Sequence, residues 1–567
     1  MQKPMSVECK RQMIRVAKGE EPAELVLKNA TYLNVFTESW EKGDIAIAGG
    51  HIAGIGHYSG CRERDVSGMR VVPGLIDGHI HLESSLLTPP QFAQAILPHG
   101  TTAVVSDPHE MANVLGIAGI RYMLEATEGL PVDVYVMLPS CVPATGEDES
   151  FETLTAEALE PLWQHPRVLG LAEMMNYPGV LGADEQVLQK IVAAENRGKP
   201  VDGHAPCLNG AELTAYIAAG IATDHECSTY EEGMEKLAQG QWIMIREGTA
   251  AQNMSALLPL LRAPYAARCL FVTDDKHPAE LLHDGHLDGI VRLAVERGAD
   301  PILAFKAATY NTAQAFGLRG RGAVAAGYAA DLVLMDDAYF VQATMKDGEI
   351  VFDGQVPEVT APKISEELLQ AALHSFHMAP ITEHAFCKTG ALGVLAMVQG
   401  QIITTDGGMA EAVNVQADIL KIAVLERHHH TGHVGVGYLH GYGLQHGAVA
   451  TSVAHDSHNL IAVGDNDADM ACAAERVRAL EGGIVLVRDG QILGELPLPI
   501  AGLMTDWDMN SVNEQMEKCK KIAADMGVHS GVDPFMTLSF MSLPVIPAMR
   551  ILTHGVFDVT HWRYASK

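Results

Sequence analysis

The 567-residue sequence has no run of eighteen apolar residues, so no membrane-spanning helix is predicted. It has no Cys-x-x-Cys pair. Its nine cysteines are scattered from Cys9 to Cys519 and odd in number. That pattern excludes a disulfide framework and a structural zinc cluster, and it fits a reducing, cytoplasmic compartment. Positive charge is scarce: 39 Lys and Arg face 70 Asp and Glu, a formal net charge of −31. Such a surface offers no basic footprint for nucleic acid or an anionic membrane. The opening MQKPMSVECKRQMIRVAKGEEPAE is polar and charged, without the apolar core of a signal peptide. No Gly-x-Ser-x-Gly elbow supplies a serine nucleophile, and no Gly-x-Gly-x-x-Gly turn follows the first apolar run of the central region. The remainder is an ordinary globular balance, 48% hydrophobic and 19% charged, long enough for several cores.

Residues 24–58 read as short strands: Leu25-Val26-Leu27, Ala30-Thr31-Tyr32, Asp44–Ile47 and His51–Ile55, with Gly49-Gly50 as a hairpin signal. Similar strands recur at Asp331–Met335, Val341–Met345 and Gly348–Val351. The two stretches are expected to form one small β domain. Between them, eight short apolar runs alternate with helical stretches: Gly74–Ile80, Thr101–Val105, Val132–Leu138, Val168–Ala172, Pro200–Asp202, Ile221–Thr223, Trp242–Ile245 and Cys269–Val272. Eight βα units predict an α/β fold, a (β/α)8 TIM-like barrel. The expected domains are 1–72 plus 316–363 (composite small β domain), 73–315 (barrel) and 364–567 (C-terminal α+β domain).

In such a barrel, catalytic groups stand at the carboxyl ends of the strands. The first run ends in His79-Ile80-His81. Side chains at i and i+2 share one side of a strand, so both rings can reach one ion. The fourth run ends in Glu173, the fifth in Asp202-Gly203-His204, the sixth in Asp224-His225-Glu226 and the eighth in Thr273-Asp274-Asp275. Each residue alone has a bland reading as a bonded core group. Their delivery to one rim does not. Four His and two carboxylates exceed what one tetrahedral ion needs. They suit two ions about 3.5–4 Å apart, bridged by Glu173. Imidazole with carboxylate suits Mn2+, Fe2+, Zn2+ or Co2+. Such a centre activates water, and Asp274 is the candidate to move its proton.

The stretch VVPGLIDGHIHLESS, with His204, His225 and Asp274, resembles the amidohydrolase superfamily. Within it, LPHGTTAVVSDPHEMANVLG (97–116), MLPSCVPAT (137–145), IREGTAAQNM (245–254), FVTDDKHP (271–278), SVAHDSHNLIAVGDNDADM (452–470), LPLPIAGLMTD (496–506) and PFMTLSFMSLPVIP (534–547) are similar to the bacterial adenine deaminases, over residues 24–560. The fourth strand carries Glu173 rather than the carboxylated lysine of dihydroorotases, hydantoinases and ureases. The resemblance implies hydrolytic deamination of adenine to hypoxanthine in purine salvage. It also implies metal ligands His79, His81, Glu173, His204, His225 and Asp274, two Mn2+ or Fe2+ ions (Zn2+ as a third option), and Asp274 as proton shuttle. An amino-sugar deacetylase or a cyclic amidase is the alternative. A small-molecule substrate and a homodimer or higher homo-oligomer are expected, without nucleic acid or membrane.

Candidate substrate-binding residues are Asp107, His109 and Glu110 after the second run, Ser140 after the third, and Arg246 with Glu247 after the seventh. Asp107-Pro108 also reads as a helix cap followed by a first-turn proline. His455 and His458, in Ala454-His455-Asp456-Ser457-His458-Asn459, suggest a loop reaching the barrel mouth or another metal site. His428-His429-His430 reads as an exposed surface run.

Overall fold

The computed structural model describes residues 6–249, 251–355, 358–398, 401 and 403–566. Ala250 of the IREGTAAQNM stretch lies outside them, as do positions 1–5, 356–357, 399–400, 402 and 567 of the expected domain ranges.

All eight central apolar runs lie in strands or pair across them. The first four strands, Leu75–Ile80, Thr101–Ser106, Asp133–Leu138 and Val168–Met174, join Val201–Gly203 in one parallel sheet, ordered as in the chain. Thr223–Asp224, Trp242–Arg246 and Cys269–Val272 form a second parallel sheet. Single parallel bridges, Ile80 to Asp274 and Val201 to Ile221, link the edges of the two sheets. The first three strands are buried at every residue. Strands covered on both faces lose the in-out alternation of exposed sheets, which explains the continuous apolar runs. Ile76, Val105, Met137, Ala172, Met244 and Leu270 pack together on the inner side. Helices such as Ile117–Ala126, Glu185–Glu195 and Leu287–Glu296 cover the outer side. The result is an α/β, TIM-like architecture.

The two distant β stretches share one eight-stranded sheet. Leu332–Met335 pairs antiparallel with Arg70–Pro73, which lies beside Ala23–Asn34. The expected strands at 25–27 and 30–32 are one strand with an irregularity between Leu27 and Ala30. The hairpin at Gly49-Gly50 is formed, with φ of +58° and +75°, a turn that favours glycine. Sequence patterning missed Gly60–Asp65, whose GCRERD carries no apolar alternation, and the helix Val7–Ala17.

Beyond residue 364 a second eight-stranded sheet runs from Thr404–Ala410 to Gln491–Pro497. One face packs on the helix Asp467–Ala479 through Met470, Ala473, Ala474 and Val477. The other face, with Leu420, Ile422 and Val463, shares one continuous core with Phe92, Met111 and Tyr122 of the helices flanking the first two parallel strands. This shared core presses the 454–459 loop against the rim of the parallel strands. All nine cysteines are free. No helix among the described residues is long and apolar enough to cross a membrane.

Candidate active site

The strand ends converge on Glu173. Its Oε1 lies 3.8 Å from His79 Nε2 and 3.2 Å from His81 Nε2. Its Oε2 lies 2.7 Å from His204 Nδ1 and 3.3 Å from His225 Nε2. One carboxylate thus faces two histidine pairs, one with each oxygen. Asp274 Oδ1 approaches the first pair, 3.7 Å from His79 Nε2 and 3.1 Å from His81 Nε2. Five of these six side chains are buried, and His204 is nearly so.

Several neighbours hold this arrangement. Asp202 Oδ2 lies 3.1 Å from His79 Nδ1. That contact leaves His79 Nε2 pointing at Glu173, buried and without a hydrogen-bond partner among the described residues. His81 Nδ1 meets the Asp107 carbonyl at 3.2 Å. Asp224 accepts from the backbone N–H of Ala205 and of Glu226, steadying the turns that carry His204 and His225. Asp77 accepts from Thr273 Oγ1 at 2.6 Å and so ties the first strand to the eighth. Asp274 itself sits at φ +59°, a left-handed conformation that non-glycine residues keep only where their surroundings enforce it.

The electrostatics call for positive charge. Burial alone would depress His79, His81 and His204. The carboxylates against them outweigh it and raise all three, His79 to about 10 and His204 to about 9. Burial would likewise raise Glu173 and Asp274. Facing histidines, and Arg246 for Asp274, instead hold both carboxyls well below the usual range. Two buried carboxylates crowded against these imidazoles make a site that divalent cations would neutralise. The donor set fits such ions: in two overlapping groups, His79 with Glu173 and His225, and His79 with His81 and Asp274, the ligand atoms lie within 4.8 Å of one another. The second set of bonds, carboxylate or carbonyl to the far ring nitrogen, is the usual support of ligating histidines.

A cavity of about 350 Å3 opens beside this centre. Of the candidate substrate residues, His109, Glu110, Arg246 and His455 line it. Asp107, Ser140, Glu247 and His458 do not. Asp107 lies behind His109, 3.0 Å from its Nδ1, and the helix starts at His109 with Pro108 at its cap, so the expected Asp107 cap with first-turn Pro108 is shifted by one residue. Ser140 donates to the Glu173 carbonyl, beneath the site. Arg246 bonds Glu226 and, at 2.5 Å, Asp274 Oδ2. Glu226 is thereby lowered to about 2 against the opposing effect of burial. The 454–459 loop does reach the mouth: His455 Nδ1 lies 2.5 Å from Glu110 Oε1, and His458 Nε2 bonds Glu110 Oε2. The histidine run needs correction. His428 is buried, with its Nε2 at 2.8 Å from the Ser457 carbonyl, and only His429 and His430 are exposed.

Sequence reasoning named Glu226 and Asp456 only as members of their motifs, without a role of their own, and missed an apolar wall of Phe540, Leu543, Val545 and Ile546. Glu226 directly follows a nominated ligand. The wall lies far along the chain, inside the 534–547 stretch that carries the resemblance, but its apolar residues have no spacing that marks a cavity lining.

Residues 70–351 match the model of the amidohydrolase family, and 398–563 that of the adenine deaminase C-terminal domain. An adenine deaminase 2 of Carboxydothermus hydrogenoformans is 45% identical over 97% of this chain and 98% of its own. The chain belongs to the adenine deaminase family. An adenine deaminase of Nitratidesulfovibrio vulgaris, 45% identical, covers 98% of each chain, and one of Oceanobacillus iheyensis, 42% identical, covers 98% of this chain and 97% of its own. The C-terminal match that marks this family spans Asp456 and the apolar wall, so both family matches meet at one cavity.

Proposed function

We propose that the protein hydrolyses adenine to hypoxanthine and ammonia, with His79, His81, Glu173, His204, His225 and Asp274 holding two divalent ions, Mn2+ or Fe2+ first. The observation that carries the reading is the division of Glu173, one oxygen to each histidine pair. The relatives' shared name supplies the substrate. Ions bound there would supply Lewis-acid activation of water. The chain's own groups do the rest. Asp274, ionised beside Arg246, takes the proton shed by the attacking water and gives it to the departing amino nitrogen. C6 gains oxygen as its bond to that nitrogen breaks. Arg246, bonded to Glu226 and Asp274, fixes one wall. Phe540, Leu543, Val545 and Ile546 keep water from the flat ring.

An amino-sugar phosphate would need free basic groups at the mouth. Lys276 does not line the cavity and donates to the Glu247 carbonyl, while Arg246 is already paired. We read the eight parallel strands as one closed barrel spanning 73–315, supported by the bridges at both sheet edges. Residues 1–72 with 316–363 form its flank, and 364–567 its C-terminal domain. The test is ammonia release from adenine, with metal content measured on the same sample. Chelation should abolish release and added Mn2+ restore it. Turnover that survives complete metal removal would refute the reading.

A further inference from the structure

The polar groups lining the cavity beyond the six clustered ligands are nearly all engaged. Glu110 has both oxygens taken by His455 and His458. Glu226 is held by Arg246, and Asp275 Oδ1 accepts from Ser84 at 2.5 Å. His458 Nδ1 accepts from the Ala454 N–H at 3.1 Å, so its proton sits on Nε2, facing Glu110. With that nitrogen protonated, the Glu110, His455 and His458 cluster is a closed hydrogen-bond triad rather than a further cation site.

Asp456 differs. It is 4% exposed, lines the cavity, and its Oδ2 has no hydrogen-bond partner among the described residues. The nearest cationic neighbour of its other oxygen is His109 Nε2, at 4.0 Å. A buried acceptor left unmade costs about 1–3 kcal/mol, so a donor arriving with a ligand is strongly favoured there. The same loop is pinned in place: His455 N donates to the Ser539 carbonyl at 2.7 Å, and the His455 ring stacks on Phe540 at 4.7 Å. Asp456 thus lines the same cavity as the apolar wall, with the His109 imidazole between it and Glu173. Adenine's amino group must face the metal-binding end, where it departs. Its remaining N–H belongs to the five-membered ring.

We propose that Asp456 accepts the hydrogen bond of that ring N–H, on N7 or N9, and so admits free purine bases while rejecting N9-substituted ones. This rests on the adenine reading above and deepens it. It gives the C-terminal region a direct part in choosing substrate.

The test uses the metal-loaded full chain and two non-reacting ligands, hypoxanthine and 9-methylhypoxanthine, with binding measured by calorimetry. Wild type should prefer hypoxanthine by at least about 30-fold. Asp456→Ala should weaken hypoxanthine about 10- to 100-fold, or about 1.4–2.8 kcal/mol, and change 9-methylhypoxanthine less than about threefold. Asp456→Asn, close in shape, should fall between and guards against a folding defect. In turnover of adenine the loss should appear in KM rather than kcat. Equal weakening of both ligands by either variant, or no preference in wild type, overturns the inference. If discrimination holds but adenine yields no ammonia, the proposed function falls and this assignment stands. If ammonia is released without discrimination, only this assignment falls.

Discussion

Asp202→Asn tests the metal centre without touching a proposed ligand. Asp202 Oδ1 accepts from the Gly203 N–H at 2.9 Å and from Thr223 Oγ1, while Oδ2 faces His79 Nδ1 at 3.1 Å. In the variant the amide oxygen keeps the two donors, so the amide NH2 must turn towards His79. Nδ1 then becomes the acceptor, and the ring proton moves to Nε2, the atom aimed at Glu173. A protonated Nε2 cannot ligate. Support of this kind is worth 10- to 100-fold in metal affinity, about 1.4–2.8 kcal/mol. The assay is titration of chelator-stripped protein with Mn2+ against a competing chelator, followed by ammonia release at saturating metal. Affinity should fall within that range, while the thermal midpoint of the stripped protein shifts little. Unchanged Mn2+ affinity would refute the assigned role of His79 Nε2.

Asp274→Asn should bind metal with modest loss yet lower kcat for adenine by about 10^2- to 10^4-fold, because the amide cannot carry a proton; wild-type turnover would remove Asp274 from the mechanism. Gly78→Ala places a Cβ 2.4 Å from Leu270 Cδ1. It should cost about 1–3 kcal/mol and weaken Mn2+ binding by displacing His79, measured by denaturation and metal titration. Asp133 is buried against Arg321 and Lys346, which outweigh desolvation and lower its pKa to about 2. A depressed carboxyl stabilises above its unfolded pKa and loses that contribution as pH falls through the folded value. Asp133→Asn should therefore destabilise the metal-free protein by about 2 kcal/mol at pH 7, and the difference should shrink between pH 4 and pH 2. A difference independent of pH would show that the charge is not what stabilises.

The parallel strands and the clustered side chains at their ends were legible because both are local features. Each strand is a short apolar run, and His79, His81, Glu173, His204, His225 and Asp274 each sit where a run ends. The strand Gly60–Asp65 escaped because its polar residues carry no alternation, and backbone pairing to Ala23–Asn34 holds it instead. His428 was misread as exposed because three adjacent histidines look alike in a sequence, whereas the fold buries only the first.

The sequence by itself determined the family, the order of strands and the residue types gathered at the strand ends, since those depend on residue type and short spacing. Only the tertiary structure decided which Glu173 oxygen meets which histidine. It also set His455 against Glu110, 345 residues away, placed Phe540 in the cavity wall, and left Asp456 Oδ2 without a hydrogen-bond partner among the described residues. Contacts between such distant segments leave no periodic trace along the chain. They arise from the shared core that docks the C-terminal sheet on the helices beside the first two parallel strands.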